Sequence, residues 1–197
     1  MLSVESLSRL HVSASFELRS GECIALQGAS GAGKSLLMRA IADLDPNEGV
    51  LKLDGGLRES MPAPVWRKKV TYVATEPGWW AETVQEHFFA WDDALPLIEK
   101  LGLPLACGTW DIRRLSTGEK QRLGLVRALM LDSRVLLLDE PTSALDANSR
   151  GVVESIIADR TSMGMGIMWS THDEAQAKRV GSRLFVMTGG HIEELPF

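Results

Sequence analysis

The sequence predicts an α/β fold with a mainly parallel sheet. Two observations lead to this prediction. Short apolar runs alternate with stretches of helical periodicity, as expected for strands that helices cover on both faces. In addition, a glycine-rich segment follows one apolar run and precedes a helical pattern. Because 197 residues can bury one substantial core, we expect a single domain over residues 1–197.

The expected strands are bounded by Gly, Ser or Pro. They are Phe16–Leu18, Glu22–Gln27, Val50–Leu53, Val70–Val73, Val135–Leu138, Gly166–Ser170 and Leu184–Met187. Apolar and polar residues alternate in the runs near the N-terminus, where we expect an antiparallel β portion.

The stretch from about residue 77 to residue 131 holds no such apolar run. Thr83 with Glu86, and Ser116 with Glu119, instead match the capping-box pattern that starts helices. We therefore expect a helical lobe over residues 77–131, inserted into an α/β core of residues 1–76 and 132–197.

Composition excludes several classes of protein. The net charge of −5 offers no basic surface for nucleic acid. Cys23 and Cys107 have no CxxC or His/Cys cluster around them, so we expect neither a zinc site nor disulfides, and a reducing cytosolic setting fits best. No run is long enough to span a bilayer and the N-terminus lacks a leader, so we expect a chain that is neither inserted nor secreted.

The glycine-rich segment predicts binding of a nucleoside triphosphate with Mg²⁺. Its backbone N–H groups can point at phosphate oxygens, and the helix that follows adds its positive end. Lys34 would reach the β and γ phosphates, and the Ser35 hydroxyl would ligate Mg²⁺. The expected ATP-binding residues are Gly28, Ala29, Ser30, Gly31, Ala32, Gly33, Lys34, Ser35 and Leu36.

Two carboxylates follow the apolar run that begins at Val135. We expect Asp139 to hold Mg²⁺ opposite Ser35, and Glu140 to act as the general base or water-orienting group for attack on the γ-phosphate. Without the glycine segment, an acidic pair starting a helix would be the better interpretation.

Three further segments resemble motifs of ATP-binding cassette (ABC) ATPases and occur in the same order as in that family. Leu115–Arg122 resembles their signature motif, Ser143–Asp146 their D-loop, and Ser170–Asp173 their switch histidine. The resemblance covers essentially the whole chain. The short length and the segments Pro77–Trp80 and Trp169–Asp173 are similar to small bacterial cassettes, including the iron-export type.

The resemblance implies a homodimer or a paired cassette that sandwiches two ATP molecules. Each ATP would lie between the glycine loop of one cassette and the signature residues of the other. It also implies a D-loop role for Asp146, and catalytic roles for Glu140, His172 and Lys34. The expected signature residues are Ser116, Thr117, Gly118 and Glu119.

The chain departs from the family at three places. Thr75 stands where the family has a glutamine that touches Mg²⁺ and links the site to the membrane partner. Thr117 replaces a usual glycine and adds a Cβ beside the phosphate. The aromatic residue that stacks on the base is not obvious, and His11 is the nearest candidate.

The resemblance implies that transmembrane permease subunits dock near Thr75, Trp79 and Trp80. Neighbouring tryptophans cannot share one face of an element, so we expect at least one of them at the surface. Ordinary packing in the lobe is the alternative.

These features lead us to expect the ATP-hydrolysing subunit of a membrane transporter, peripheral on the inner face of the membrane. One alternative is an ABC ATPase acting on a protein assembly, of the iron–sulfur or cell-division type. Another is a slow nucleotide switch, suggested by Thr75 and the altered signature.

Overall fold

A computed structural model describes residues 1–196 and shows one sheet of ten strands between helices, which confirms the predicted α/β fold. The strands are β1 (Leu2–Arg9), β2 (Val12–Leu18), β3 (Cys23–Gln27), β4 (Glu48–Leu53), β5 (Gly56–Leu57), β6 (Val70–Val73), β7 (Val135–Asp139), β8 (Gly166–Ser170), β9 (Arg183–Thr188) and β10 (His191–Leu195). The helices are α1 (Lys34–Ile41), α2 (Ala63–Lys69), α3 (Trp91–Lys100), α4 (Thr117–Leu129), α5 (Ala147–Ser162) and α6 (Glu174–Val180).

The sheet has a parallel block and an antiparallel block, in the strand order β5-β4-β1-β2-β10-β9-β3-β8-β7-β6. The parallel block is β9-β3-β8-β7-β6. Strands β5, β4, β1 and β2 pair antiparallel, and β10 connects the two blocks. The carboxyl ends of parallel strands share one edge, where ligands bind in open α/β sheets.

Strand β1 has no counterpart among the predicted strands, although its burial explains its place in the sheet. Its register shifts between Val4 and Leu7 against β2 and between Glu5 and Ser8 against β4, and Ser6 has a φ of 50°. This bulge puts both Val4 and Leu7 in the core although they are three residues apart. The alternation that marks a strand in a sequence is therefore broken.

The two faces of the sheet are covered by separate hydrophobic clusters. One joins β1, β2 and β4 to α1 and to Trp66, whose indole N–H donates to the Ile41 carbonyl oxygen at 2.9 Å. The other joins β7 and β8 to α5 and to the residues between β6 and β7. Because this second cluster includes Leu123 of α4 as well as Leu138 of β7, the segment predicted as a lobe packs directly on the sheet.

The segment between β6 and β7 adds no strand to the sheet in the described part of the chain. It contains α3, α4 and three 3₁₀ turns, and the lobe boundaries at residues 77 and 131 stay a prediction. The predicted helix start at Thr83 is wrong. Glu86 accepts hydrogen bonds from the Thr83 N–H at 2.7 Å and hydroxyl at 2.6 Å, but only the 3₁₀ turn Gln85–His87 follows.

No helix forms after Thr83 because hydrogen bonds of His87 hold this segment in a compact loop. Its Nε2 accepts from the N–H groups of Trp80 and Ala81 at 2.9 and 3.0 Å, and its Nδ1 is 2.9 Å from the Thr83 carbonyl oxygen. Phe88 then turns to an extended conformation, which ends the turn.

Among residues 1–196, no helix has both the length and the apolar character needed to cross a membrane.

Candidate functional site

The glycine loop lies at the carboxyl end of β3 and leads directly into α1. Gly33 has a φ of 110°, and a Cβ there would lie 2.5 Å from Cγ2 of Val12, so only glycine fits. Helix α1 has no side-chain cap and no acidic residue in its first turn. Its first N–H groups and its positive end are therefore available to an anion such as a phosphate.

Lys34 is buried and turned onto its own loop. Its ammonium group donates to the carbonyl oxygens of Gly28 at 2.7 Å and Ala29 at 3.2 Å. The loop thus holds a positive charge next to its free amide groups, which is suited to a polyphosphate.

Asp139 ends β7 with both carboxylate oxygens engaged by hydroxyl groups. Tyr72 of β6 donates to Oδ2 at 2.8 Å, and Ser170 of β8 donates to Oδ1 at 2.8 Å. Burial and the Asp139 charge raise the pKa of Tyr72 well above its usual range, against the opposing effects of Arg39 and Ser35. Tyr72 is therefore a neutral donor at physiological pH, and Asp139 is fixed between the two neighbouring strands.

Glu140 meets two of the other predicted catalytic residues. Its carboxylate lies 3.9 Å from Nζ of Lys34 and 3.6 Å from Nδ1 of His172, and the His172 side chain is 73% exposed. The backbone of Glu140 has a φ of 45°, a conformation that non-glycine residues rarely adopt. The Ser170 hydroxyl accepts a hydrogen bond from the Glu140 N–H at 2.9 Å and so supports this strained position.

Lys34, Asp139 and Glu140 border one open groove. Its lining contains His11, Ser30, Gly31, Gly33, Lys34, Ser35, Leu36, Thr75, Asp139 and Glu140. The structure therefore brings together most of the predicted phosphate-binding residues, both predicted metal ligands and the predicted catalytic residues Lys34 and Glu140. Gly28, Ala29 and Ala32 do not line this groove, and His172 lines a neighbouring pocket that it shares with Glu140. His11, the candidate for the base, lies on the same groove.

The groove has the donor set that Mg²⁺ prefers when it binds with a nucleotide. Among the described residues, no three His, Cys, Asp or Glu side chains converge as an all-protein metal site would require. Ser35 and Asp139 offer one hydroxyl and one carboxylate, and Mg²⁺ usually takes its remaining ligands from phosphates and water. These two residues thus fit a nucleotide-bound Mg²⁺.

The predicted signature residues lie elsewhere, at the start of α4. Ser116 and Glu119 form a complete capping box, in which the Ser116 Oγ accepts from the Glu119 N–H at 3.3 Å and the Glu119 carboxylate accepts from the Ser116 N–H at 2.8 Å. Hydrogen bonds from Ser116 lower the pKa of Glu119, which is therefore ionised at neutral pH. Thr117 is exposed, and none of these residues borders the groove of its own chain.

Gly118 packs against the predicted D-loop. A Cβ on Gly118 would lie 2.8 Å from the Ala144 carbonyl oxygen. Asp146, the predicted D-loop residue, is the N-cap of α5 and accepts from the N–H of Ser149 at 2.9 Å. The signature helix and the D-loop are thus in direct contact within one chain.

Gln121 is a buried residue that the sequence analysis did not single out. Its amide nitrogen donates to the carbonyl oxygens of Thr75 at 3.2 Å and Glu140 at 3.3 Å, and to the Ser143 hydroxyl at 2.9 Å. Its Oε1 accepts from the Ala144 N–H at 3.1 Å. One side chain of α4 therefore connects the segment at Thr75, the predicted base and the D-loop.

Gln176 plays a similar part for the switch-histidine loop. This buried side chain donates to the Thr142 hydroxyl at 2.9 Å and accepts from the Thr171 hydroxyl at 2.8 Å. It thereby joins the loop before His172 to the loop after Glu140. Gln121 lies within the predicted signature motif, but nothing in the sequence indicates its distant contacts, and Gln176 is an isolated glutamine that belongs to no motif.

The two predicted docking tryptophans have different surroundings. Trp79 is half-buried and packs on the second hydrophobic cluster, whereas Trp80 is 69% exposed. The Arg127 guanidinium lies 4.9 Å from the Trp79 ring centroid and 4.7 Å from that of Trp80. Beside them, a groove between β6 and α4 is lined by Pro77, Gly78, Gly124, Arg127, Ala128 and Leu131, with part of β6.

Comparison with known proteins places this arrangement in a family. The family model described as "ABC transporter" matches residues 12–143. The chain is 37% identical over 171 residues to the "Probable iron export ATP-binding protein FetA" of Escherichia coli K12, covering 81% of this chain and 76% of that protein.

Two solved structures have the same fold. One, described as the "ATP binding subunit of ABC transporter", has a TM-score of 0.87 at 24% identity and covers 98% of this chain and 90% of its own. The other, a dimeric post-hydrolysis state of the ATP-binding cassette MJ0796 bound to ADP and Pi, has a TM-score of 0.83 at 21% identity and covers 100% of both chains. From its family model and its relative, this chain is a member of the ABC transporter ATPase family.

Proposed function

We propose that this chain is the ATP-hydrolysing subunit of an ABC membrane transporter and works as a dimer around two Mg²⁺-ATP. The observation that carries the proposal is that Lys34 and His172 both approach the Glu140 carboxylate, next to Asp139. A resident metal site or an ordinary core would not require these groups around an uncapped helix end.

Nucleotide binding rests on the glycine loop. The γ-phosphate would draw the Lys34 ammonium from the Gly28 and Ala29 carbonyl oxygens, since a phosphate is the stronger acceptor. Ser35 and Asp139 would hold Mg²⁺, which when bound neutralises charge on the β and γ phosphates. His11 would contact the base from the side of the β1–β2 turn.

Hydrolysis rests on Glu140. Its carboxylate would orient a water molecule and accept its proton as the water oxygen bonds to the γ-phosphorus. The bond between that phosphorus and the β–γ bridging oxygen breaks, which leaves ADP and inorganic phosphate. His172 approaches Oε2 of this carboxylate, whereas Lys34 approaches Oε1, and from there His172 would hold the γ-phosphate and the water in place.

The position of the signature residues supports a dimer. Ser116, Thr117 and Gly118 lie off the groove of their own chain, at an exposed helix start that can face a phosphate held by a second chain. Glu119 is ionised at that point, so its carboxylate would have to turn away from the incoming phosphate. A dimer is also described for the cassette MJ0796, which has the same fold.

The membrane partner would dock at the groove between β6 and α4. We infer a cytoplasmic helix of a transmembrane subunit as occupant, because the exposed ring of Trp80, in contact with Arg127 of the groove, is a typical interface anchor. Gln121 joins this groove to Glu140 through the Thr75 carbonyl oxygen. The chain would then be peripheral on the inner face of the cell membrane, and the FetA name supports a transporter.

Replacing Glu140 by Gln tests the proposed chemistry. The amide cannot accept the proton from the water, so turnover of purified protein should fall on the order of a hundredfold or more. ATP affinity, measured by calorimetry, should be retained or increased because a negative charge near Lys34 is lost.

Two variants provide the comparison. Lys34→Ala removes the cation that faces the phosphates and should lose ATP affinity itself. Glu59→Gln, an exposed carboxylate paired with Arg58, should change neither quantity. Near-normal turnover of the Glu140 variant would rule out the proposed base, and ATP binding that does not depend on Lys34 would rule out the proposed phosphate site.

A further inference from the structure

The side of the proposed metal site that faces β6 is occupied by Tyr72. This residue is the only tyrosine of the chain. Its ring packs against the hydrophobic cluster that includes α1, and its hydroxyl donates to Asp139 Oδ2 at 2.8 Å. The bond joins residues that are 67 positions apart in the sequence, so only the fold brings them together.

Thr75, which stands at the position of the family glutamine, is engaged with backbone groups. Its hydroxyl donates to the Asp139 carbonyl oxygen at 2.9 Å, and its own carbonyl oxygen accepts from Gln121. The one proton of the Thr75 hydroxyl is used by this backbone carbonyl, so Thr75 donates no hydrogen bond to the Asp139 carboxylate. Its side chain therefore does not fix the direction of that carboxylate.

The Asp139 carboxylate is held from both sides. Ser170 on β8 fixes Oδ1 and Tyr72 on β6 fixes Oδ2, while Asp139 itself ends the strand between them. Each oxygen keeps a free lone pair for a metal-bound water. Partners that fix an acidic group in this way set both its direction and its basicity toward a metal.

We propose that Tyr72 is a positioning residue for Mg²⁺. Its hydroxyl supplies a hydrogen bond to the Asp139 carboxylate, which Thr75 does not make. The proposal rests on the proposed function, since it assumes that Asp139 faces a nucleotide-bound Mg²⁺. Tyr72 acts through Asp139 and touches neither nucleotide nor metal. It also ties the metal site to the strand that borders the proposed docking groove.

The test compares ATP binding with and without Mg²⁺ in Tyr72→Phe, which removes one oxygen atom and keeps the ring. ATP binding in EDTA should be unchanged, because the glycine loop and Lys34 remain. The Mg²⁺ concentration that gives half of the metal-dependent gain in ATP affinity should rise about tenfold, as expected when a partner of a metal ligand is lost. An equal loss of affinity with and without metal would show a structural role only and overturn the proposal.

Two threonine variants make the comparison specific. Thr71→Val removes a hydroxyl from the same strand that bonds the Arg67 and Lys68 carbonyl oxygens, so its Mg²⁺ requirement should match that of the wild type. Thr75→Val tests the rival residue. If Thr75→Val raises the Mg²⁺ requirement and Tyr72→Phe does not, the assignment to Tyr72 is wrong.

A spectroscopic measurement does not depend on affinity. Labelling with 3-fluorotyrosine places one ¹⁹F nucleus in the chain, at position 72. Adding Mg²⁺ to the ADP-loaded protein should shift this resonance, whereas Mg²⁺ without nucleotide should not. A resonance that ignores Mg²⁺ overturns the proposal even if nucleotide binds, whereas absence of nucleotide binding in EDTA would instead contradict the proposed function.

Discussion

Trp79 and Trp80 show how two identical neighbouring residues can have separate roles. Trp79 contacts the hydrophobic cluster under α4, and its indole nitrogen is buried. Trp80 points to solvent and contacts His87 and Arg127. Only Trp80 has the exposure that an interface anchor needs, so the two substitutions should have different consequences.

We expect Trp79→Ala to lower the free energy of unfolding by about 2 kcal/mol or more, because it opens a cavity in the cluster. Trp80→Ala should cost less than about 1 kcal/mol, since it loses mainly a surface contact with a cation. Urea denaturation checks both values.

The Trp80 variant should nevertheless lose binding to the membrane fraction of its native cell, with its basal ATPase rate unchanged. Membrane binding at full yield would contradict the docking surface. A Trp80 variant as unstable as the Trp79 variant would show that both residues are core residues.

Site residues that are close together in the sequence could be predicted from it. The glycine loop and the pair Asp139–Glu140 each form one short segment, so their residue types and spacing were enough to predict them. Tyr72, Ser170 and Gln121 were missed as partners, because their hydrogen bonds join residues 19 to 67 positions apart. Such contacts depend on which strands are neighbours.

At the scale of elements, helix α4 is positioned by two glycines that allow close approach. A Cβ on Gly124 would lie 2.4 Å from Cγ of Pro77, and one on Gly118 would lie 2.8 Å from the Ala144 carbonyl oxygen. Glycine weakens a helix by roughly 0.5–1 kcal/mol relative to alanine. Its presence in α4 is therefore explained by packing and opposed by helix propensity.

We expect Gly124→Ala to destabilise the protein by about 1–3 kcal/mol despite the gain in helix propensity, because Pro77 and the strand end before it must move. Gly151→Ala in α5 is the matched control. A Cβ there meets no atom within 4 Å, so this variant should be more stable by roughly 0.5–1 kcal/mol. Equal midpoints of urea denaturation for the two variants would show that packing against Pro77 does not constrain α4.

Element boundaries could be predicted for the buried strands but less well for the edges. The runs Cys23–Leu26 in β3, Val135–Leu138 in β7 and Gly166–Trp169 in β8 are continuously apolar. Strand β10 is mostly exposed and carries Glu193 and Glu194, so it has no hydrophobic pattern. The capping box at Ser116 starts a helix of 13 residues, whereas the similar pattern at Thr83 starts only a turn, because His87 closes the loop behind it.

At the scale of the whole molecule, the two regions proposed to bind ATP lie apart in one chain. The groove at Lys34 and the helix start at Ser116 are connected through the protein interior by Gln121 and the D-loop. A second copy in head-to-tail orientation would complete both sites at once. Nucleotide would then act as part of the interface, and dimerisation should depend on which nucleotide is bound.

We therefore expect the Glu140→Gln variant to be a dimer in light scattering with ATP and Mg²⁺, and a monomer with ADP, because ADP lacks the phosphate that the second chain would contact. Adding Thr117→Arg should abolish the dimer, since a long side chain at this exposed helix start would occupy the interface. ATP binding to the monomer should remain, because Thr117 does not border the groove of its own chain. Adding Ser162→Arg instead, at the far end of α5 and about 24 Å along the helix from Asp146, should leave the dimer intact. The same mass in ATP and in ADP, or a dimer that tolerates arginine at position 117, would mean that the signature residues do not act across an interface.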